Sequence, residues 1–298
     1  MTIVVSGASG LIGTALVAAL RQDGRRVVKL VRRTASSPDE VRWDPDAHHL
    51  DPAVVSGADA VIHLAGVGIG DRRWSPEYQA KVLDSRVDGT TTVATAIAKA
   101  EQPPPVLLSA SAVGWYGDTG DRVVHEDEPA GAGFLGEVCQ AWEAATTPAA
   151  DAGSRVVTLR TGLVLSRSGG LLGKIRPLFK AGIGGRLGSG RQYWPWISLR
   201  DEVAAIQFLL GAGDVAGPVN LTGPDPVTNA EFTAELARQV HRPALFPVPR
   251  FALRIVLSAF ADEGVLISQR AVPTVLTEHG FGFTDPTLAD ALRYALGD

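Results

Sequence analysis

The hydrophobic pattern of the first 33 residues changes period twice. Thr2 to Ser6 is a β-branched run, Leu11, Ile12, Leu16, Val17 and Leu20 recur at helical spacing, and Arg26 to Val31 is a second strand-like run. These periods predict strand, helix, strand, with Gly24 stopping the helix. Between the first two elements lies Gly7-Ala8-Ser9-Gly10-Leu11-Ile12-Gly13, a G-x-x-G-x-x-G spacing. Gly7 permits a tight turn off the strand, Gly10 lets backbone approach a pyrophosphate, and Gly13 lets the helix pack near the sheet. Unpaired helix N–H groups and the helix dipole then meet the phosphates. The stretch reads as the opening of a dinucleotide-binding βαβ unit, with residues 7 to 13 as its phosphate cradle.

The same pattern continues downstream. Val41 to Pro45 reads as a short third strand ended by proline, with Trp43 as packing. Asp59 to Leu64 is a buried-strand run that ends in Ala65-Gly66, small residues that let backbone approach a cofactor; His63 within it reads as a core histidine. Ser75-Pro76 opens a helix expected to reach about Ala100, with one face reading Tyr78, Val82, Arg86, Thr90, Val93 and Ile97. Arg86 on this stripe needs an anionic or multi-acceptor partner, either a cofactor or a core carboxylate.

After Pro103-Pro104-Pro105, the run Val106 to Ser111 ends in the hydroxyls of Ser109 and Ser111. It leads through Trp115 and Tyr116 into a glycine and aromatic loop, an arrangement suited to an active-site edge. Glu126-Asp127-Glu128 reads as a solvated turn, Phe134 to about Thr147 as a helix, and Arg155 to Val164 as a strand. From Ser166 the chain becomes rich in glycine and arginine up to Tyr193-Trp194-Pro195-Trp196, a mixture suited to a substrate crevice. Arg186 and Arg191 are placed to grip a phosphate or carboxylate beside Trp196, or else belong to a mobile surface loop. Helical periods follow at 201–210, from Thr228, and around 251–260, 268–277 and 287–296.

Composition narrows the class. The 298 residues are 45% hydrophobic and 20% charged with a formal net charge of −4, as expected of a globular protein of one large domain or two modest ones. That balance gives no overall reason to expect nucleic acid or an anionic membrane as partner, and no apolar run is long enough to span a bilayer. A single cysteine, Cys139, excludes an internal disulfide framework. The first strand begins at residue 2, so a cytoplasmic protein is expected, monomeric or homodimeric. The six histidines show no metal-ligand spacing and no metal is expected. Cation placement is local instead. The second strand ends at Arg32-Arg33, where an NAD site usually carries an acid for the ribose 2′-hydroxyl; two cations suit a 2′-phosphate and favour NADP over NAD.

With these motifs in place, the chain resembles the extended short-chain dehydrogenase/reductase (SDR) superfamily. The resemblance rests on Gly7-x-x-Gly10-x-x-Gly13, Asp59 to Gly66, Val87-Asp88-Gly89-Thr90, Ser109-Ala110-Ser111 with Tyr116-Gly117, and Trp196-Ile197-Ser198-Leu199-Arg200-Asp201. The whole chain is similar to an atypical branch classed as an epimerase family, whose C-terminal domain of unknown function matches Pro247 to Leu296.

The resemblance implies an α/β fold, a Rossmann-type doubly wound parallel sheet with a smaller, mainly C-terminal substrate lobe. It implies an NADP-binding domain at 1–165 completed by about 197–222, and a substrate lobe at 166–298 that includes the small domain at 243–298. It also implies cofactor contacts from Gly7 to Gly13, Arg32, Arg33, Leu64, Ala65, Gly66, Arg86, Ser109 and Leu163. Ser111 falls at the family's catalytic serine, and Tyr116 is the available proton donor. The corresponding helix, Phe134 to Glu143, holds neither residue of the family's Y-x-x-x-K pair, and Lys81 is the lysine nearest Arg86 on its helix. Two functions follow as expectations. One is NADP-dependent hydride transfer on a small, anionic carbonyl or sugar-nucleotide-like substrate; the other is a non-catalytic NADP sensor.

Overall fold

The computed structural model describes residues 1–297. The chain runs β1 (Thr2–Ser6), α1 (Leu11–Gln22), β2 (Arg26–Val31), β3 (Glu40–Arg42), β4 (Ala60–His63), α2 (Pro76–Ala98) and β5 (Val106–Ala112). It continues through β6 (Val123–Val124), α3 (Phe134–Ala144), α4 (Thr147–Asp151), β7 (Arg155–Thr161), β8 (Leu163–Leu165), α5 (Gly170–Lys180), β9 (Tyr193–Trp194) and β10 (Trp196–Ser198). Then follow α6 (Leu199–Gly211), β11 (Gly217–Leu221), β12 (Val227–Thr228), α7 (Asn229–Gln239), α8 (Arg250–Leu257), β13 (Arg270–Ala271), α9 (Thr274–Glu278) and α10 (Leu288–Leu296).

Seven strands form one sheet in the order β11-β7-β5-β4-β1-β2-β3, every neighbouring pair parallel. Alternation along each strand divides the core between the two faces. Ile3, Val5, Ile62 and Leu108 pack with α1 and α6, whereas Val4, Val61 and Leu107 pack with α2 and Ala149 of α4. Coverage of both faces explains the nearly continuous apolar strands and gives the Rossmann-type doubly wound architecture. The reversal of strand order lies between β1 and β4, so the crevice beyond their carboxyl ends is the natural ligand position.

A second core joins Leu165, Leu172 and Phe179 to Trp194, Trp196, Phe232 and α10. Here the structure departs from the expected crevice. An eleven-residue helix, α5, occupies part of the segment expected as a substrate crevice, and Trp196 is 1% exposed with Nε1 donating to the Asp225 carbonyl. Trp196 is therefore part of this core and is not exposed as a crevice wall. The helix expected across 268–277 is cut down to its C-terminal end, the short α9. Pro273 stands between β13 and the short α9, and β13 pairs with β6.

Glu126 is another correction. Far from a solvated turn, its buried carboxylate accepts N–H bonds from Asn220 and Val275. Among the described residues, no helix is long and apolar enough to cross a membrane.

Candidate functional site

The glycine turn shows why each glycine stands where it does. Gly7 has φ +68°, and a Cβ there would lie 2.6 Å from the Leu64 carbonyl carbon and oxygen; one on Gly13 would press into the Gly7 carbonyl. Gly10 caps α1 without a side chain, leaving the helix N terminus open toward the cleft. Replacing Gly7 by Ala combines a left-handed backbone with a collision against main chain. An expected loss of about 3 kcal/mol in urea-unfolding stability follows, and a cost below about 1 kcal/mol would show that β1 and β4 can move apart.

This turn forms one wall of a cleft of about 700 Å³. Gly7 to Gly10, Val31, Arg32, Arg33, Trp43, Leu64 to Gly68, Asp71 and Ser85 line it. Behind the wall, the Leu64 N–H donates to Ser6 Oγ at 3.2 Å, and the Ser6 hydroxyl lies 2.7 Å from His63 Nδ1. His63 is fully buried, which pushes its pKa down to about 4 and leaves it neutral. It belongs to the support of the cleft.

The two arginines at the end of β2 have different surroundings. Arg33 makes a bidentate pair with Glu40, at 2.8 Å from each carboxylate oxygen, and Lys29 reaches the same carboxylate at 2.8 Å. These donors, with Ser36, hold the Glu40 pKa well below the usual carboxylate range. Arg32 is exposed and makes no hydrogen bond or ion pair among the described residues. The strand end therefore presents three cations against one carboxylate, with Arg32 free to take a ligand anion.

Arg86 also comes to this region. Its guanidinium donates to the carbonyls of Val67 at 2.9 Å and Val82 at 3.0 Å, and stacks 4.8 Å above the Trp142 ring. No carboxylate pairs with it among the described residues, so the core-carboxylate alternative is not realised. Burial lowers its pKa, although a guanidinium remains charged. Lys81, on the same helix, is exposed to solvent.

Ser111 and Tyr116 lie in a buried polar network that does not line the cleft. The Ser111 hydroxyl donates to Glu143 Oε1 at 2.6 Å, while Arg160 Nε and Nη2 clamp both oxygens of Glu143 at 2.9 and 3.0 Å. Register explains the meeting: Ser111 sits opposite Arg160 across β5 and β7, and α3 lays Glu143 over both. Trp115 stacks on the Arg160 guanidinium at 3.9 Å. Burial opposes the Arg160 charge, but the Glu143 pair outweighs it and raises the pKa above the ordinary guanidinium value.

The Tyr116 hydroxyl donates to Asn220 Oδ1 at 2.7 Å and accepts from Arg160 Nη1 at 3.2 Å. Burial pushes its pKa up to about 12. Such a phenol stays protonated at neutral pH, and its hydrogen is already committed. Ser109 is buried two residues before Ser111 on the same face of β5, opposite His63, and Leu163 opens β8; neither lines the cleft.

Arg186 and Arg191 are exposed and stand on neither the cleft nor the Ser111 network. Sequence reasoning singled out neither Glu143 nor Arg160. Their signal was the alternation of Ser109 with Ser111 and of Thr158 with Arg160, which places both pairs on the face covered by α3.

Comparison with known proteins agrees with this geometry. Residues 3–222 match the model of the NAD dependent epimerase/dehydratase family, and residues 248–295 match a domain of unknown function, DUF1731. An epimerase family protein of Mycobacterium tuberculosis is 50% identical over 293 residues, covering 98% of this chain and 97% of the relative. The human epimerase family protein SDR39U1 is 33% identical, with 98% and 99% covered. A crystal structure of human SDR39U1 with NADPH superposes with a TM-score of 0.93 at 32% identity, over the full length of both chains. A nucleoside-diphosphate sugar epimerase from Corynebacterium glutamicum gives 0.84 at 34% identity, this chain spanning 58% of that one.

A glycine cradle below a parallel sheet, a cleft at its topological switch point and matches along nearly the whole length lead to one assignment: the chain belongs to the NAD dependent epimerase/dehydratase family, within its atypical SDR branch.

Proposed function

We propose that the protein binds NADPH in this cleft and catalyses hydride transfer on a carbonyl or carbinol substrate without a tyrosine and lysine pair. The observation that carries the reading is the conjunction of the glycine cradle with a free Arg32 at the end of β2. Gly7 to Gly13 receive the pyrophosphate, Arg32 and Arg33 the 2′-phosphate, and Leu64 to Gly66 the neighbouring backbone. The NADPH in the structure of human SDR39U1 supports the same choice of nucleotide. NADPH supplies a hydride equivalent at its nicotinamide ring.

The protein's own contribution begins at Ser111. Ser111 is buried beside the cleft and not in its lining, and its proton is already directed to Glu143; once a substrate hydroxyl reaches it, its oxygen accepts that proton while passing its own to the carboxylate, and the reverse transfer serves carbonyl reduction. Arg160 fixes Glu143, and Arg86 supplies positive charge at the cleft rim. Tyr116 is then a strut holding Arg160 and Asn220 rather than the donor. Arg186 and Arg191 offer anion contacts only to a substrate large enough to extend beyond the cleft.

Arg32→Ala is expected to weaken NADPH binding roughly 10- to 100-fold, the loss of one charge-assisted contact, while leaving NADH affinity within about twofold. Calorimetric titration checks both numbers, and an equal loss for the two nucleotides would remove the 2′-phosphate assignment.

Turnover is tested by NADPH oxidation against carbonyl compounds and nucleotide sugars, with Ser111→Ala as the variant expected to lose it. A second reading, an NADP sensor without turnover, is favoured by α3 itself, which carries no tyrosine or lysine. NADPH binding with no reaction across the panel would select it.

A further inference from the structure

The outer wall of the cleft is a strap, residues 66–74, whose inner side contributes Gly66, Val67, Gly68 and Asp71 to the lining. Four consecutive carbonyls of this strap are each taken by a side chain. Val67 accepts from Arg86 at 2.9 Å, Gly68 from the Tyr78 hydroxyl at 2.5 Å, Ile69 from Trp74 Nε1 at 2.8 Å and Gly70 from Lys174 Nζ at 2.5 Å. Two of these donors stand on α2, one closes the strap itself, and one comes from α5. The Asp71 carboxylate folds back over Gly68, in the space a Cβ there would take.

The far end of the strap is fastened by the C-terminal domain. The Trp74 ring sits between Phe134 and Phe260, with centroid separations of 5.2 Å to each. Phe260 also lies 3.5 Å from the position a Cβ on Gly70 would take. Three residues later, Glu263 Oε2 accepts the N–H of Leu135 at 3.2 Å. The N-cap of helix α3 is Gly133, at φ 105° and without a side chain to cap it, so the Glu263 carboxylate serves as a borrowed cap. One short segment of the C-terminal domain thus holds both the cofactor strap and the helix that carries Glu143.

We infer that the C-terminal domain of unknown function is a clamp that retains the dinucleotide, with Phe260 and Glu263 as its positioning residues. Phe260 keeps the strap shut, and Glu263 keeps α3 in register with the cleft. Retention requires that the strap open before the nucleotide leaves, so release is gated by the Trp74, Phe134 and Phe260 stack. This inference rests on the reading that a dinucleotide occupies the cleft, and its test separates the two.

The test compares wild type with Phe260→Ala, Phe260→Leu and Glu263→Ala in the full chain. NADPH release is followed by displacement with excess NADP⁺, and hydrogen exchange of residues 66–74 is measured without nucleotide. Phe260→Ala is expected to release NADPH at least tenfold faster and to exchange faster in the strap, with Leu restoring most of the wild-type behaviour. Glu263→Ala is expected to raise exchange at the start of α3. Release within twofold of wild type in Phe260→Ala overturns the clamp, whether or not strap exchange rises. If Phe260→Ala exchanges faster throughout the protein, the Leu variant decides: strap protection and slow release together uphold the clamp, and wild-type strap protection with fast release overturns it. If wild type binds no NADPH, the nucleotide reading falls, and unchanged strap exchange in Phe260→Ala would remove the fastening as well.

Discussion

Glu143→Ala is expected to lower unfolding stability by about 4 kcal/mol, the cost of leaving a buried charge without its partner. The Arg160 side chain is 3% exposed and that of Glu143 is 12% exposed, so little water is available to replace the lost carboxylate. Three bonds vanish together: two from Arg160 and one from Ser111. The remaining guanidinium contacts are the Glu126 carbonyl, the Tyr116 hydroxyl and the Trp115 ring, none of which carries a formal negative charge. Equilibrium urea unfolding measures the loss. The paired replacement Glu143→Leu with Arg160→Met is expected to recover much of it, because removing both charges removes the desolvation cost too. A single-variant loss below about 1 kcal/mol would mean that water enters the network freely. Activity in the same variants separates roles: Arg160→Met with Glu143→Leu is expected to recover stability without recovering the turnover proposed to run through Ser111.

Stability is expected to fall as pH rises from about 6.5 to 8, and Glu202→Gln is expected to remove that fall. Glu202 is fully buried, bonded through one oxygen to the Thr161 hydroxyl at 2.9 Å, with its other oxygen unpartnered among the described residues. Burial pushes its pKa up to about 8, from 4.5. Between those values the folded protein holds a proton that the unfolded chain has released, so raising the pH favours unfolding. The Glu202 contribution lost is on the order of 4 kcal/mol by the time pH passes 8, of which about 2 kcal/mol is lost above pH 6.5, where His63 no longer offsets it. His63 works in the opposite direction: with a folded pKa of about 4, it resists a proton that the unfolded chain takes up below about 6.5, so between about 4.5 and 6.5 it offsets the Glu202 slope in wild type, and the Gln variant loses stability as pH drops through that window. Thermal unfolding of wild type and the Gln variant from pH 4 to 9 reads both effects. A wild-type midpoint that stays flat up to pH 9 would show that Glu202 ionises without penalty.

What the sequence made legible is the part of the molecule built from neighbours in the chain. The turn from Gly7 to Gly13 and the stripe from Tyr78 to Ile97 depend on local period, and the structure places both as that period requires. Arg86 was legible as a cation on a buried stripe, whereas its actual partners, two carbonyls and the Trp142 ring, depend on where the strap and α3 run. Glu126 reads as a surface acid until Asn220, 94 residues away, and Val275, 149 residues away, bring it their N–H groups. Trp196 in a glycine-rich stretch suggests a ligand wall; the approach of Phe232 and α10 makes it core. Tyr116 and Glu143 show the same limit, since their roles are fixed by Arg160 and Asn220 across the sheet.

Helix α3 contains the chain's only cysteine, and that gives the protein a built-in reporter. Cys139 is 2% exposed, packed between α3 and β5, and burial pushes its thiol pKa up to about 12. In the closed molecule it is almost entirely unreactive, because a disulfide reagent needs both access and thiolate. Every labelling event therefore counts an opening of the interface between α3 and the sheet, the interface that also sets Glu143 over Ser111. The rate of thiol labelling thus becomes a clock for local unfolding at the site, readable without any substrate.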